Sequence, residues 1–163
     1  MKKILFIFAF VLLAVSCNSE KPAAFPEEVL NQKLVTLDKS EITFQELLDK
    51  HKGKKVFVEI VASWCKECVS GLPDINKLKE NHPDAVFVSL SIDKTEEQWK
   101  NGVDRFKVDR EHYFIKDGLK SDYAVKQGIK DIPNFMVVNE LGIVSLSHVI
   151  EPTDPRLEEV LND

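Results

Sequence analysis

The chain has 163 residues, of which 44% are hydrophobic and 30% are charged. This length is enough for one domain with a sizeable core. The formal net charge is −5, and it would be −7 without the first sixteen residues, which carry two lysines and no acidic residue. This balance argues against nucleic-acid binding, which favours basic surfaces, and against electrostatic attachment to an anionic membrane.

The first sixteen residues have the organisation of a secretory signal peptide. Lys2 and Lys3 form a basic start, residues 4–15 are an unbroken apolar run, and the small Ser16 follows. The run is shorter than the roughly 20 apolar residues that span a bilayer. We therefore expect residues 1–16 to be removed on export.

Cys17 directly follows this segment. Residues 13–17 resemble a bacterial lipobox, which is cleaved before the cysteine that then carries lipid, although Ala14 stands where Leu is usual. The alternative is ordinary signal cleavage nearby, with Cys17 unmodified. The resemblance implies an exported lipoprotein of the bacterial cell envelope, facing the periplasm. On this basis we expect a lipidated N-terminus and tether over residues 17–32 and a folded domain over 33–163.

Hydrophobic periodicity and turn residues predict alternating strands and helices in that domain. The expected elements are a hairpin of strands 34–37 and 41–43, a helix over 44–51, a strand over 55–62, a helix to about 81, a strand over 85–91, a helix from about 95, a strand near 113–115, a helix over 119–127, strands over 134–138 and 143–148, and a helix from 154. This alternation implies parallel pairing in the centre of a sheet. The expected fold class is α/β, with a mixed central sheet, helices on both faces and an N-terminal hairpin.

Residues 65–68 read Cys-Lys-Glu-Cys at the predicted junction between a strand and a helix, with Trp64 before them and Pro73 after them. At the start of a helix, unpaired N–H groups and the helix dipole favour the thiolate of Cys65. Cys68, one turn further in, is expected to be less exposed and to act as the resolving thiol. Two cysteines at this spacing also occur in zinc sites and structural bridges. The order of strand, Trp, cysteine pair and Pro indicates a disulfide oxidoreductase.

Residues 56–68 resemble the active-site strand and turn of thioredoxin-like proteins, and Pro73 matches the proline that kinks the following helix. Residues 128–135 resemble the segment that holds the family's cis-proline. The section 88–107, with the strand near 113–115, resembles the insertion of the TlpA-like branch. That branch comprises exported, membrane-tethered thiol–disulfide oxidoreductases. The resemblance covers residues 34–161.

The resemblance implies roles for three further residues. Glu59, six residues before Cys65, occupies the position of the family's buried acid and would exchange a proton with Cys68, through water. The alternative is a glutamate at a strand edge that faces solvent. Pro133 is expected in the cis form, which would place the Ile132 backbone beside the cysteines to pair with an extended substrate chain. The alternative is a trans proline that starts an edge strand.

Trp64 is expected to lie over the dithiol, and Trp99 to lie in the core. The four histidines are far apart in sequence, and each is expected to be a solvated or loop residue. Glu67 stands where the family often has Pro, and Gly71 stands where many TlpA-like proteins have Glu. We expect no metal and no cofactor other than the Cys65–Cys68 disulfide.

The leading hypothesis is an enzyme that reduces disulfides in extracytoplasmic proteins, including apocytochromes, as a monomer. Cys65 would attack the substrate, Cys68 would resolve the mixed disulfide, and a membrane electron donor would recycle the pair. An oxidase is less favoured, because strong oxidants of this fold tend to have His between the cysteines. An isomerase usually adds a dimerisation domain, for which the chain has no room. A metal carrier or a non-catalytic structural lipoprotein remains a different class of hypothesis.

Overall fold

The structure is a computed structural model, and it describes residues 25–163. The predicted signal peptide, Cys17 and the first part of the tether lie outside the described residues. The elements in chain order are α1 (Glu27–Leu30), β1 (Lys33–Val35), β2 (Glu41–Thr43), α2 (Phe44–Lys50), β3 (Val56–Val61), α3 (Lys66–Ser70), α4 (Leu72–Asn81), β4 (Val86–Ser91), α5 (Glu96–Phe106), β5 (Glu111–Phe114), a 3-10 turn (Gly118–Lys120), α6 (Asp122–Lys126), β6 (Asn134–Val138), β7 (Val144–Val149) and α7 (Pro155–Asn162).

The strands form one mixed sheet in the order β2-β1-β5-β4-β3-β6-β7. The central strands β3, β4 and β5 are parallel, whereas β6 is antiparallel to β3. Antiparallel hairpins close both edges, with β1 paired to β2 and β6 paired to β7. The predicted mixed α/β sheet and its N-terminal hairpin are confirmed.

Alternate residues of β3 face two separate cores, because successive side chains of a strand point to opposite faces. Val58 belongs to a core that contains residues of α1, α2 and α6. Phe57 belongs to a second core with residues of α4 and α7, where its ring stacks on Phe87 and Phe135 at 4.8 and 5.6 Å between centroids. Helices therefore cover both faces, as predicted.

Local signals set several element boundaries. Thr43 and Glu46 form the predicted capping box at the start of α2, and the Thr95 hydroxyl accepts a hydrogen bond from the Gln98 N–H at the start of α5. Trp99 on α5 is buried and stacks on Phe114 of β5, which confirms its place in the core.

Two predicted helices are divided in the structure. The stretch after the cysteines ends as α3 at Ser70 and resumes as α4 at Leu72, with Pro73 in the first turn of α4. Proline has no N–H to donate and its ring crowds the carbonyl four residues earlier, so the helix is interrupted. The helix predicted over 119–127 instead begins at Asp122, because the Ser121 hydroxyl accepts from the Ala124 N–H and caps the helix there.

Residues 25–32, which were expected to belong to the tether, pack on the domain. Phe25 and Val29 are buried, and the Phe25 ring meets Phe44 of α2 edge to face at 5.1 Å. Burying two such side chains stabilises a fold by about 1.5–3 kcal/mol each. No helix within residues 25–163 is both long enough and apolar enough to cross a bilayer.

Candidate active site

The two cysteines lie where β3 runs into α3, and they are joined in a disulfide with their Cα atoms 5.3 Å apart. Cys65 is the N-cap of α3, and its Sγ accepts a hydrogen bond of 3.1 Å from the Cys68 N–H. An N–H group aimed at this sulfur would also stabilise a thiolate on Cys65 after reduction. The geometry therefore supports Cys65 as the nucleophile.

The expectation that Cys65 is more exposed than Cys68 is wrong for this oxidised form. Cys65 is 4% exposed and Cys68 is 9% exposed. Part of the reason is that the backbone of Ile132 covers Cys65, whose Sγ lies 3.8 Å from the Ile132 carbonyl oxygen. Position at the helix N-terminus distinguishes the two sulfurs, whereas exposure does not.

The Ile132–Pro133 peptide bond is cis, as predicted. Pro133 is buried and leads directly into β6, which pairs with β3. Ile132 and Pro133 line a groove of about 390 Å³ that also contains Glu67 and the exposed Ile150. The Ile132 backbone thus lies both in this groove and beside Cys65, where an extended chain that carries a disulfide could lie.

Trp64 does not fill the core, because 57% of it is exposed. Its side chain lines a second groove, of about 320 Å³, together with Arg105 and Phe106 of α5. The first groove includes Glu67, which follows Cys65 in the chain, and the second includes Ser63 and Trp64, which precede it. A role for Trp64 as a cover for the dithiol remains a prediction.

Glu59 lies in the middle of β3 and is buried, so the alternative of a glutamate facing solvent is excluded. The Ser89 hydroxyl donates to its Oε1 from the neighbouring strand β4. The Arg110 Nη1 donates to the same oxygen at 2.7 Å, and only 1% of the Arg110 side chain is exposed. The Arg110 Nη2 donates to the Asn76 Oδ1 of α4 at 3.1 Å. Glu59 is therefore one half of a buried ion pair.

Burial and charge act in opposite directions on this pair. Burial raises the pKa of Glu59, and the charge of Arg110 and the hydrogen bonds from Ser89 and Arg110 oppose that rise. Burial likewise lowers the pKa of Arg110, which the carboxylate of Glu59 opposes. Because taking two charges out of water is costly, such a pair contributes little net stability, but the loss of one partner is strongly destabilising.

Cys68 and Glu59 line the same cavity, which lies between α3, α5 and the ends of β3 and β4 and has a volume of about 60 Å³. A cavity needs roughly 10–15 Å³ measured in this way to hold one water molecule. Trp99 also lines the cavity, and its indole N–H has no hydrogen-bond partner within residues 25–163. The space is therefore large enough for water, and both Cys68 and Glu59 border it.

Asp93 is a buried carboxylate that holds the turn before the cysteines. It accepts hydrogen bonds from the Ser63 N–H at 3.1 Å, from the Ser63 hydroxyl at 2.7 Å and from the Ser91 hydroxyl at 2.7 Å. Gly102 of α5 approaches the same turn so closely that an added Cβ would lie 2.5 Å from the Ser63 Cβ. The turn that presents Cys65 is thus fixed from two sides.

Sequence reasoning missed Arg110, Asp93 and His112 as neighbours of the site. A glutamate inside an apolar strand is itself a signal, because a buried charge needs a partner. That signal does not say which cation is the partner, and Arg110 lies 51 residues further along the chain, just before β5.

The expectation that the histidines are solvated or loop residues holds for His82, which follows α4 in a loop, but is wrong for His112, which lies in a strand. His82 is buried at the end of α4, with its Nε2 2.6 Å from a Glu158 carboxylate oxygen. His112 lies on β5, lines the cavity and donates from Nε2 to the Val108 carbonyl at 2.8 Å. Burial lowers the pKa of His112, so its imidazole is neutral at neutral pH.

No group of three or more His, Cys, Asp or Glu side chains in the described part of the chain is arranged to hold a metal ion. The described residues instead supply a disulfide, two grooves lined by residues next to the cysteines, and a buried acid. Together they can exchange electrons between dithiols and handle the protons involved.

Comparisons with known proteins agree with this chemistry. The chain is 29% identical over 119 residues to the thioredoxin-like protein YneN of Bacillus subtilis, which covers 71% of this chain and 68% of that protein. It is 24% identical over 177 aligned positions to the thiol-disulfide oxidoreductase ResA of Bacillus cereus, which covers 100% of this chain and 91% of that protein. The thioredoxin domain of a thiol-disulfide oxidoreductase from Bacteroides vulgatus superposes with a TM-score of 0.67 at 19% identity, covering 80% of this chain and 92% of that chain.

The prediction of a thiol–disulfide oxidoreductase is thereby confirmed, since the paired cysteines and the named relatives agree. A family model described as thioredoxin-like matches residues 53–144, which include β3, the cysteines and the cis-proline. The chain belongs to the thioredoxin-like family.

Proposed function

We propose that the protein reduces disulfides in extracytoplasmic proteins, with Cys65 as nucleophile and Cys68 as resolving thiol. The observation that carries the proposal is the placement of Cys65. It caps α3 beside the cis-Pro133 groove, while Cys68 shares a cavity with Glu59. This arrangement supports roles for Cys65 as the attacking sulfur, for the groove as a surface for the substrate backbone and for Glu59 as the proton acceptor.

The reaction conserves atoms and electrons in two exchanges. The Cys65 thiolate attacks one substrate sulfur, a mixed disulfide forms, and the other substrate sulfur leaves as a thiolate. Cys68 then gives up its proton, to Glu59 through water, and its thiolate attacks the Sγ of Cys65. The second substrate sulfur leaves, the Cys65–Cys68 disulfide forms, and the substrate has gained two electrons. A dithiol donor at the membrane would return two electrons to the pair.

The direction of electron flow rests on what stands between the cysteines. Lys66 and Glu67 occupy these positions, and both are exposed. The positive charge of Lys66 favours the Cys65 thiolate, whereas the negative charge of Glu67 opposes it. A strong oxidant needs a strongly stabilised reduced form. The opposite charges of Lys66 and Glu67 provide little net stabilisation of that form.

A reduction potential tests the direction. We expect the mature chain, residues 17–163 with Cys17→Ser, to reach equilibrium with glutathione or dithiothreitol at a potential near that of thioredoxin, about −270 mV, and far below the about −120 mV of a strong oxidant. Catalysed insulin reduction with dithiothreitol as donor is the matching activity assay. A reduction potential near that of the strong oxidant would identify an oxidase. No catalysis in either direction would favour a structural lipoprotein.

Labelling tests which sulfur is the nucleophile. In the reduced mature chain, limiting iodoacetamide should alkylate Cys65 several-fold faster than Cys68, because the Cys68 N–H stabilises the Cys65 thiolate. Peptide mapping by mass spectrometry measures the ratio. The urea-unfolded chain is the control, where the two rates should be similar. Faster labelling of folded Cys68 would reverse the assignment.

The proposed location rests on residues 1–17, which carry the signal-peptide pattern and the lipobox-like sequence. In a bacterial host the full chain should fractionate with membranes, and Cys17→Ser should release it or block its processing. A bacterial lipoprotein's several acyl chains anchor firmly, whereas one chain binds only marginally. Wild-type protein that is soluble and has no acyl mass on Cys17 would contradict the lipoprotein proposal, but not the redox chemistry.

A further inference from the structure

Arg110 is the only cationic side chain in contact with Glu59 within residues 25–163, and it is held at both ends of its guanidinium. Nη1 donates to the Glu59 Oε1, and Nη2 donates to the Asn76 Oδ1 on α4. A planar guanidinium fixes both partners in one geometry, which a lysine ammonium cannot do. Arg110 thus links β3 to α4.

All the hydrogen bonds that Glu59 accepts from described residues fall on one oxygen. Ser89 and Arg110 both donate to Oε1, and Oε2 has no such partner. Glu59 lines the cavity that Cys68 also lines. A carboxylate anchored through Oε1 leaves Oε2 available to the cavity, where water can lie between it and Cys68.

We propose that Arg110 is a positioning residue for the resolving step, which holds the Glu59 carboxylate through one oxygen so that the other can accept the proton of Cys68. The inference rests on the proposed function. It adds a residue of this chain, outside the cysteine motif, on which the second half of the exchange depends. Arg110 acts through Glu59 and does not touch the reacting sulfurs.

The charge of Arg110 has a second consequence for Glu59. Glu59 can accept a proton only when it is ionised, and burial alone favours the neutral acid. An adjacent opposite charge lowers a carboxylate pKa by about 1–3 units. Removing Arg110 would raise the pKa of Glu59 further, so the accepting form would exist only at higher pH. The resolving step should then need a more alkaline solution.

Other titratable groups near the Glu59–Arg110 ion pair are either uncharged or bonded to other residues. His112 and Asp93 line the same cavity, but His112 is neutral at neutral pH and Asp93 is bonded to Ser63 and Ser91. Asp109, the neighbour of Arg110, is paired with the Lys79 Nζ at 2.7 Å. Cys68 itself loses a proton during the resolving step, so its own titration also affects the pH dependence. A variant without the Glu59 carboxylate is therefore needed to assign a change of midpoint to Glu59.

The two halves of the exchange can be separated with Ellman's reagent, a disulfide that releases one coloured thiolate at each half. The fast phase of reduced mature Cys17→Ser protein reports attack by Cys65, and the slow phase reports attack by Cys68. In Arg110→Met, we expect the pH midpoint of the slow phase to rise by about 1–3 pH units, with the fast phase unchanged. At any pH below both midpoints, the slow phase should be about tenfold slower for each pH unit by which the midpoint has risen.

Three variants make the test specific. Arg156→Met removes an exposed arginine on α7 and should leave both phases unchanged. In a Glu59→Gln background, Arg110→Met should no longer move the midpoint. Arg110→Lys keeps the positive charge but loses the planar guanidinium that bonds both partners. Its pH midpoint should therefore stay near that of the wild type, while its slow phase should be slower at every pH.

The outcomes separate the role of Arg110 from the proposed function. An unchanged slow-phase midpoint in folded Arg110→Met, or a midpoint change that persists with Glu59→Gln, would overturn the role of Arg110. If Arg110→Met does not fold, as judged by circular dichroism, a slow phase of Arg110→Lys identical to the wild type would overturn it instead. Failure of the wild-type protein to release any thiolate would contradict the proposed function and not the role of Arg110.

Discussion

Cys68→Ser should stop the reaction at a mixed disulfide between Cys65 and the substrate. Turnover in the insulin assay should fall by at least about a thousandfold, because the covalent intermediate forms but cannot be resolved. Cys68 faces the cavity with Glu59 and lies within bonding distance of Cys65. No other cysteine within residues 25–163 could replace it.

The trapped species is measured directly. Non-reducing electrophoresis and intact mass should show the mature Cys17→Ser, Cys68→Ser protein joined to its substrate, and dithiothreitol should release it. The matched control is Cys65→Ser, which should lose turnover without accumulating the adduct. Accumulation in Cys65→Ser rather than in Cys68→Ser would exchange the roles of the two sulfurs. The same trap, applied to an envelope fraction, would capture physiological substrates.

Glu59→Ala should destabilise the protein by about 3–5 kcal/mol, because it leaves the buried Arg110 without its partner. From the sequence alone, the opposite effect of Glu59→Ala on stability would be expected. A lone acid in an apolar strand carries a desolvation cost, and its removal would then stabilise the fold. The ion pair with Arg110 reverses the expectation, since the carboxylate is compensated and the arginine becomes the uncompensated charge.

Urea unfolding of the oxidised mature protein measures this effect. The double variant Glu59→Leu, Arg110→Met removes both charges and replaces them with apolar groups, so it should regain most of the lost stability. A double-mutant cycle with the two single variants gives the coupling between the residues. Wild-type stability in Glu59→Ala would show that the pair is not formed in solution, and the positioning role of Arg110 would fail with it.

The Cys68 and Glu59 variants separate chemistry from stability. Cys68→Ser should change turnover while leaving the packing of α3 nearly intact, because serine differs from cysteine by one atom. Glu59→Ala should change both, since Glu59 is part of a buried ion pair and also faces the cavity. A loss of activity in Glu59 variants is therefore interpretable only where unfolding data show the protein to be folded.

Several features of this protein depend on residues close together in the chain, and these follow from the sequence. The capping box of Thr43 and Glu46 needs side chains three positions apart. The cysteine spacing places two sulfurs on one helical turn, and the alternation of apolar strands and helices indicates a mixed α/β sheet. The cis form of Pro133 was expected only through resemblance to the family, and the structure contains it.

Other features depend on groups distant in the chain, and only the tertiary structure decided them. Glu59 is ionically paired because the strand order brings the segment before β5 over β4 toward β3, and periodicity does not specify that order. Cys65 is covered because the Ile132 carbonyl lies against it, 67 residues away. Burial, pKa and access to solvent are sums over all neighbours in space. Residue types in sequence therefore predict which groups can react, whereas packing decides which of them are charged, covered or connected.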